Sequence, residues 1–253
     1  MRLGVTFDLW LTLIGELDGN QKSRERNRIK SELTYNQLLK YNEHISIENI
    51  VNAYNEISDL INNQHNNGED FPFNQRICGA LNLMSPGLPY RIGFEGVDQI
   101  CELVDSAFLK RPPRVFYGCL ETLKTLKASG LVLGLISNTG LTSPLAYKRW
   151  LTRENIFQLF TTLTFSNEAC LAKPKTEIFL NTLKKMQVEP HQAIHVGDNL
   201  YTDIRGASDA GMFTAWITGR DNRYGIVDPN YSISSVNELP EVLEHWEKLF
   251  STQ

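Results

Sequence analysis

Beyond residue 113 the chain alternates short apolar runs with helical stripes, and this alternation restricts its fold more than any other feature. Residues 131–136, 163–165, 193–196 and 213–217 are apolar runs bounded by turn residues. Runs of this kind read as strands buried on both faces. Between them, Leu120, Leu123 and Leu126, and then Ile178, Phe179, Leu183 and Met186, recur at helical spacing. Strands that alternate with helices build a parallel sheet covered on both sides. Residues 3–7 form one more such run at the start of the chain and stop at a single carboxylate, Asp8. The expected class is α/β, a doubly wound parallel sheet. An edge strand at residues 231–233 and an amphipathic helix carrying Val242, Leu243, Trp246, Leu249 and Phe250 close it.

Between residue 19 and about residue 110 the strand-like runs vanish. Ile47, Ile50, Val51, Tyr54, Ile57 and Ile61 form a helical stripe behind Ser46, a fitting N-cap. The Asn-rich stretch 62–68 reads as an exposed loop that breaks it. A short helix at 71–84 and a third stripe through Ile100, Leu103, Val104, Ala107 and Phe108 follow, ended by Arg111-Pro112-Pro113. The expectation is a core domain made of residues 1–16 and 114–253, with an all-helical cap inserted at 17–113 through linkers near 15–19 and 110–113. Lys22, Arg24, Arg26 and Arg28 lie near the start of the insert; a solvated helix face explains them better than an anion site.

Composition sets limits. A formal charge of −4 carries no basic footprint, so nucleic acid is not an expected partner. No apolar stretch is long enough for a membrane helix, and the first apolar run contains Asp8, unlike a signal peptide. Cys78, Cys101, Cys119 and Cys170 are widely spaced, as reduced thiols of a cytoplasmic protein would be.

In a parallel sheet the carboxyl ends of the strands share one edge, where ligands bind. Each confidently placed run ends there in polar residues: Asp8, Ser137-Asn138, the stretch from Ser166 to Lys173, and Gly197-Asp198 with Asp203 five residues on. Singly, each has an ordinary explanation as a cap, a turn residue or a surface lysine. His195, inside a strand, reads as a core histidine rather than a ligand. Taken together, Phe7-Asp8-Leu9-Trp10-Leu11-Thr12-Leu13, Ile136-Ser137-Asn138-Thr139, Lys173-Pro174-Lys175 and His195-Val196-Gly197-Asp198-Asn199-Leu200-Tyr201-Thr202-Asp203 resemble the motifs of the haloacid dehalogenase superfamily of hydrolases with a helical cap, in the family's order and across nearly the whole chain.

That resemblance implies a phosphatase that forms an aspartyl-phosphate on Asp8. It implies one Mg²⁺ held by Asp8, the backbone carbonyl of Trp10 and Asp198, with Asp203 beside it as a ligand or on a bound water; oxygen-only coordination suits this ion. Lys173 would offset the charge shared by Asp8 and the phosphate, and the Ser137 hydroxyl and Asn138 amide would donate to phosphate oxygens. Ser166 would brace the region. The substrate would be a small phosphorylated molecule.

One position departs from the family pattern. A second Asp normally stands two residues after the nucleophile, commonly followed by Gly and Thr; here the residues are Trp10, Leu11 and Thr12. In the family that Asp moves the proton of the leaving group, a service worth about 10²–10⁴-fold. An indole N–H donates and does not titrate. Three readings follow: a phosphatase favouring leaving groups that need no proton, a catalytically quiet binding or regulatory protein on the same scaffold, and a 2-haloacid dehalogenase, which also lacks the second Asp. Asp198 and Asp203 weigh against the last, because that chemistry needs no metal and unbalanced carboxylates repel a carboxylate substrate.

Overall fold

The computed structural model describes residues 2–16, 19, 21–220 and 227–251. The chain runs β1 (Gly4–Phe7), β2 (Ile14–Gly15), α1 (Gln21–Lys40), α2 (Ile47–Asn66), α3 (Phe73–Met84), α4 (Leu88–Lys110) and β3 (Arg114–Val115). It continues with α5 (Cys119–Ala128), β4 (Val132–Ser137), α6 (Pro144–Arg153), β5 (Thr162–Phe165), a single turn α7 (Ser166–Ala169) and α8 (Thr176–Met186). Last come β6 (Ala193–Gly197), a π-helical turn (Leu200–Arg205), α9 (Gly206–Asp209), β7 (Phe213–Ile217), β8 (Tyr231–Ile233) and α10 (Leu239–Ser251).

The expected α/β class is what forms. Six strands make a parallel sheet in the order β5-β4-β1-β6-β7-β8. From β1 the chain steps outward through β4 and β5, then returns to β6 on the other side, so the order reverses beside β1, the kind of point where α/β sheets place their ligands. Phe7 pairs with Leu135 on one side and Val196 on the other. Asp8 therefore emerges level with Ile136 and Gly197, and Ser137 and Asp198 each follow one residue later. One apolar layer, with Phe7, Leu135, Trp150 and Trp246 buried, covers one face; Ile136, Phe179, Leu183 and Met186 cover the other.

Helices α1–α4 pack on one another around their own apolar cluster, which includes Ile50, Tyr54, Ile57, Ile77, Leu81, Leu88 and Ile100. Helix α1 is too polar to be held by apolar burial alone. Its inward residues hydrogen-bond instead: Thr34 to the Tyr54 hydroxyl at 2.7 Å, and Gln37 to Gln99, which also accepts from Tyr41. Ser46 caps α2 through its side chain, as expected. The Asn-rich stretch 62–68 does not break that helix: α2 runs to Asn66. His65 continues the buried row of Ile57 and Ile61 one turn further, and Asp70 satisfies its ring nitrogen at 2.9 Å, so a polar residue fills an apolar position at no hydrogen-bond cost. After β6 the chain makes a π-helical turn (Leu200–Arg205) followed by the short α9.

Several contacts join the helical layer to the sheet domain, among them Asp105 of α4, which accepts from Ser143 N at 2.9 Å, and two further attachments. The connections at its two ends lie side by side, because β2 pairs antiparallel with β3. Residues 17, 18 and 20 of the first connection, like Leu249 and Phe250 in the last helix, whose side chains belong to the expected apolar stripe, lie outside what is described here. The second attachment is built by Arg76. It is fully buried, and its guanidinium donates to the carbonyls of Phe71, Thr139 and Gly140 and pairs with Asp70. Beside it the Gly68 carbonyl accepts from Ala172 N at 3.0 Å. Removing one partner of a buried ion pair costs about 3–5 kcal/mol. Arg76→Met is therefore expected to lower the thermal midpoint by about 10 °C, at roughly 2–4 °C per kcal/mol for a chain of this size, in a calorimetric scan.

The four cysteines are free thiols. Among the described residues no helix is long and apolar enough to cross a membrane.

Candidate functional site

The sheet delivers Asp8 first. Its N–H donates to Val196 O at 2.9 Å, extending β1 by one bond, and the chain then winds back on itself as Leu13 and Ile14 donate to Leu9 O. The turn requires a left-handed backbone at Leu11 (φ 60°), which costs a residue with a side chain about 1–2 kcal/mol. Glycine, common there in the family pattern, would adopt it freely. The Trp10 indole N–H donates to the Tyr147 hydroxyl at 2.9 Å. Its single donor is thus committed to another side chain.

Lys173 arrives from the loop after α7, and Asn138 fixes it. The Asn138 side-chain amide accepts from Lys173 N at 2.8 Å and donates to Lys173 O at 2.9 Å, clamping the lysine's backbone from both sides. With its side chain so used, Asn138 retains its backbone amide for a ligand. The Lys173 side chain is 2% exposed, and its Nζ donates to Asp8 Oδ1 at 2.5 Å and to Asp203 Oδ1 at 2.6 Å. Ser137 is buried at the end of β4, and Ser166 Oγ accepts from Thr139 N at 2.9 Å, bracing the loop as expected.

Asp203 projects from the π-helical turn, whose start is capped by Asn199 accepting from Tyr201 N and Thr202 N. Asp203 Oδ2 accepts from Asn199 N at 3.0 Å, and Oδ1 also faces His195 Nε2 at 3.4 Å. The other ring nitrogen of His195 meets Thr6 Oγ1 at 2.8 Å. His195 is thus a buried strand residue that supports Asp203, and burial pushes its imidazole below the ordinary range, toward the neutral form. Gly197 is required by this packing: a Cβ there would lie 2.4 Å from Asp203 Cγ.

The third carboxylate, Asp198, is buried and pinned through its own carbonyl, which accepts from Trp216 Nε1 at 2.8 Å. Carboxylate oxygens of Asp8, Asp198 and Asp203 all lie within 4.8 Å of one another. Burial raises Asp8 to about 6 and Asp198 to about 8, and mutual repulsion adds to it. Burial also disfavours charge on Asp203 and Lys173, but their contact overcomes it. Asp203 is held well below the ordinary carboxylate range, and Lys173 is pushed up to about 12. Three carboxylates with one ammonium leave negative charge in excess, in a cluster that offers only oxygen donors. This donor set fits a hard divalent cation, with Asp8 and Asp198 the carboxylates to hold it. Both oxygens of Asp203 are engaged by Lys173 and Asn199, which suits anchoring rather than direct ligation.

All the residues singled out in the sequence therefore lie at one edge of the sheet, and Asp8, Lys173, Asp198 and Asp203 are in mutual reach. The sequence reading did not find Tyr147, the partner of Trp10, nor Arg76 and Asp70. Arg76 did carry a signal: a charged residue one turn before Ala80 on the apolar stripe of α3.

Comparison with known proteins shows the family. Residues 95–217 match the family profile of haloacid dehalogenase-like hydrolases. The chain is 30% identical over 200 residues to the glyceraldehyde 3-phosphate phosphatase of Pyrococcus furiosus, covering 78% of this chain and 77% of that protein. It is 34% identical over 151 residues to the protein of that name in Methanopyrus kandleri, covering 56% of this chain and 60% of the relative. Among solved structures, a 2-haloacid dehalogenase from Pseudomonas syringae superposes with a TM-score of 0.70 at 22% identity, over 97% of this chain and 100% of that one. At that identity the likeness is one of fold.

Proposed function

Because the chain belongs to the haloacid dehalogenase-like hydrolases, we propose that it is a Mg²⁺-dependent phosphatase of small phosphate esters or anhydrides, with Asp8 as nucleophile. The observation that carries this reading is the pair of short contacts from buried Lys173 to Asp8 and Asp203, within reach of Asp198. Lys173 keeps Asp8 ionised and close while lowering the repulsion that a phosphate dianion would meet. The Asp8 carboxylate attacks phosphorus, the bond to the leaving oxygen breaks, and water then cleaves the acyl-phosphate to release phosphate and restore Asp8. The Ser137 hydroxyl and the Asn138 amide donate to phosphoryl oxygens as charge moves onto them. Mg²⁺, held by Asp8, Asp198 and the Trp10 carbonyl, supplies further charge neutralisation when bound. The helical layer, residues 17–113 with the strap β2–β3, serves as the cap that covers the substrate.

The chain's departure at Trp10 shapes what it turns over. Its indole is bonded to Tyr147 and cannot pass a proton to an alkoxide. Aryl and acyl phosphates, whose leaving groups depart as anions, are therefore expected to exceed alkyl phosphates in kcat/KM by about 10²–10⁴-fold. Phosphate release from para-nitrophenyl phosphate, acetyl phosphate and ethyl phosphate, with Mg²⁺ and with EDTA, measures this. No release from any of them with Mg²⁺ would overturn the phosphatase reading. The cluster Asp8, Asp198 and Asp203 weighs against dehalogenation, since it would repel a haloacid's carboxylate.

Metal binding has a pH signature. Asp8 and Asp198 are raised above the 3.8 of a free Asp, to about 6 and about 8. The folded protein thus holds more protons than the unfolded chain across that window, and metal-free stability falls as pH rises through it. A cation that replaces those protons stabilises most at the upper end. The rise in melting temperature on adding Mg²⁺ is expected to be larger at pH 8 than at pH 5.5; an equal rise at both would contradict the assignment.

A further inference from the structure

A cavity of about 280 Å³ lies between the helical layer and the sheet edge. Its sheet-side wall includes Trp10, two residues past Asp8, and Gly140, two residues past Asn138, so it is built on the loops that carry the reactive groups. From the helical side, Arg26 and Lys30 reach it, one turn apart on α1.

The two cations are placed differently. Arg26 pairs with Glu16 at 2.5 Å, donates to Arg111 O at 2.8 Å, and lies 5.8 Å from the Trp10 ring. Lys30 is half-buried, with Nζ 4.3 Å over the Tyr54 ring and 3.3 Å from Asn27 Oδ1. Among the described residues no carboxylate lies within ion-pair distance of it. Burial and the neighbouring Arg26 push its ammonium down to about 8. A half-buried cation without a counter-charge is a modest cost to the fold. Elsewhere on α1, Lys22 donates to Pro112 O, and Arg28 pairs with Glu32 at the surface. Glu16 balances Arg26 and leaves one positive charge facing the cavity, which matches a monoanion better than a second phosphoryl dianion.

We propose that Lys30, seconded by Arg26, forms a subsite for a carboxylate on the leaving group, so that the preferred substrates are aryl, enol or acyl phosphates whose leaving group also bears a carboxylate. The proposal rests on the phosphatase reading above and names its substrate class. Trp10 lines the same cavity.

The test compares phenyl phosphate with 3- and 4-carboxyphenyl phosphate, none of which needs a proton to leave. The wild-type protein is expected to favour a carboxylated substrate at least tenfold in kcat/KM, chiefly through KM. In Lys30→Met this preference is expected to fall at least tenfold, with no loss of thermal stability. Arg28→Gln, which removes a surface charge from the same helix, is expected to keep the preference. Should phenyl phosphate turn over with no carboxylate preference, or Lys30→Met keep the preference, the subsite is overturned and the phosphatase reading stands. Should none turn over, the phosphatase reading fails, and calorimetric binding of the same compounds decides the subsite: equal affinity for phenyl and carboxyphenyl phosphates overturns it. Tighter binding of propane-1,3-diol bisphosphate than of either carboxylate also overturns it.

Discussion

Asp8→Asn is expected to abolish phosphate release from para-nitrophenyl phosphate, by about 10³-fold or more, in a protein that melts no lower than the wild type. Removing a nucleophile that works as part of a unit costs nearly all of the catalysis that unit provides. Stability should not suffer, because Asn has the same shape and its carbonyl can still accept from Lys173. Burial already disfavours the Asp8 charge, raising it to about 6, so the neutral side chain relieves repulsion from Asp198 and Asp203. Steady-state kinetics and a thermal scan on one preparation check both halves. Retention of a tenth of the activity would remove Asp8 from the nucleophile's role, whatever the melting temperature did.

Lys173→Met is the variant expected to damage both activity and fold. It deletes the one ammonium among the described residues that contacts Asp8 and Asp203, leaving three carboxylates within 4.8 Å of one another. Breaking a buried ion pair from one side costs about 3–5 kcal/mol, which is about 10 °C in melting temperature here. The loss should be largest at pH 8 without metal and smaller near pH 5, where Asp8 and Asp198 take up protons. Activity should fall by about 10²–10³-fold, the scale for removing one preorganised charge from a transition state. The double variant with Asp203→Asn should regain much of the stability and none of the activity. If the single variant melts like the wild type at pH 8, Lys173 is not compensating that cluster.

Much of this site was legible before any coordinates. Asp8, Ser137-Asn138 and Asp198 each stand where an apolar run stops, with Asp203 five residues further on, and a parallel sheet brings such ends to one edge whatever lies between them. Lys173 was legible only through the company it keeps, since a Lys-Pro pair alone reads as surface, and burial at 2% follows from Asn138 clamping its backbone. What stayed hidden depends on side chains meeting across long separations. Trp10 and Tyr147 meet 137 residues apart, and Arg76 reaches Thr139 across 63. Local propensity also misled where a tertiary partner decided the outcome: the Asn-rich end of α2 stays helical because Asp70 satisfies His65. On α1, Lys22, Arg24, Arg26 and Arg28 looked like one solvated face, yet Arg26 turns inward while Arg28 stays at the surface.

Trp10 and Leu11 together give the site a recognisable cost. The left-handed backbone at Leu11 is kept although no glycine occupies it, and the indole at position 10 is fixed by Tyr147. Without a carboxylate at position 10 to activate water, breakdown of an acyl-phosphate on Asp8 is slow relative to its formation from an aryl phosphate. The covalent species should therefore accumulate.

Trapping that species is the most direct measurement. The protein is mixed with para-nitrophenyl phosphate and Mg²⁺, quenched with borohydride, and digested for peptide mass spectrometry. Reduction of an aspartyl-phosphate at residue 8 yields homoserine there, dependent on substrate and on metal, and this is the expected result. Phosphate release in the steady state with Asp8 unmodified would contradict covalent catalysis by Asp8.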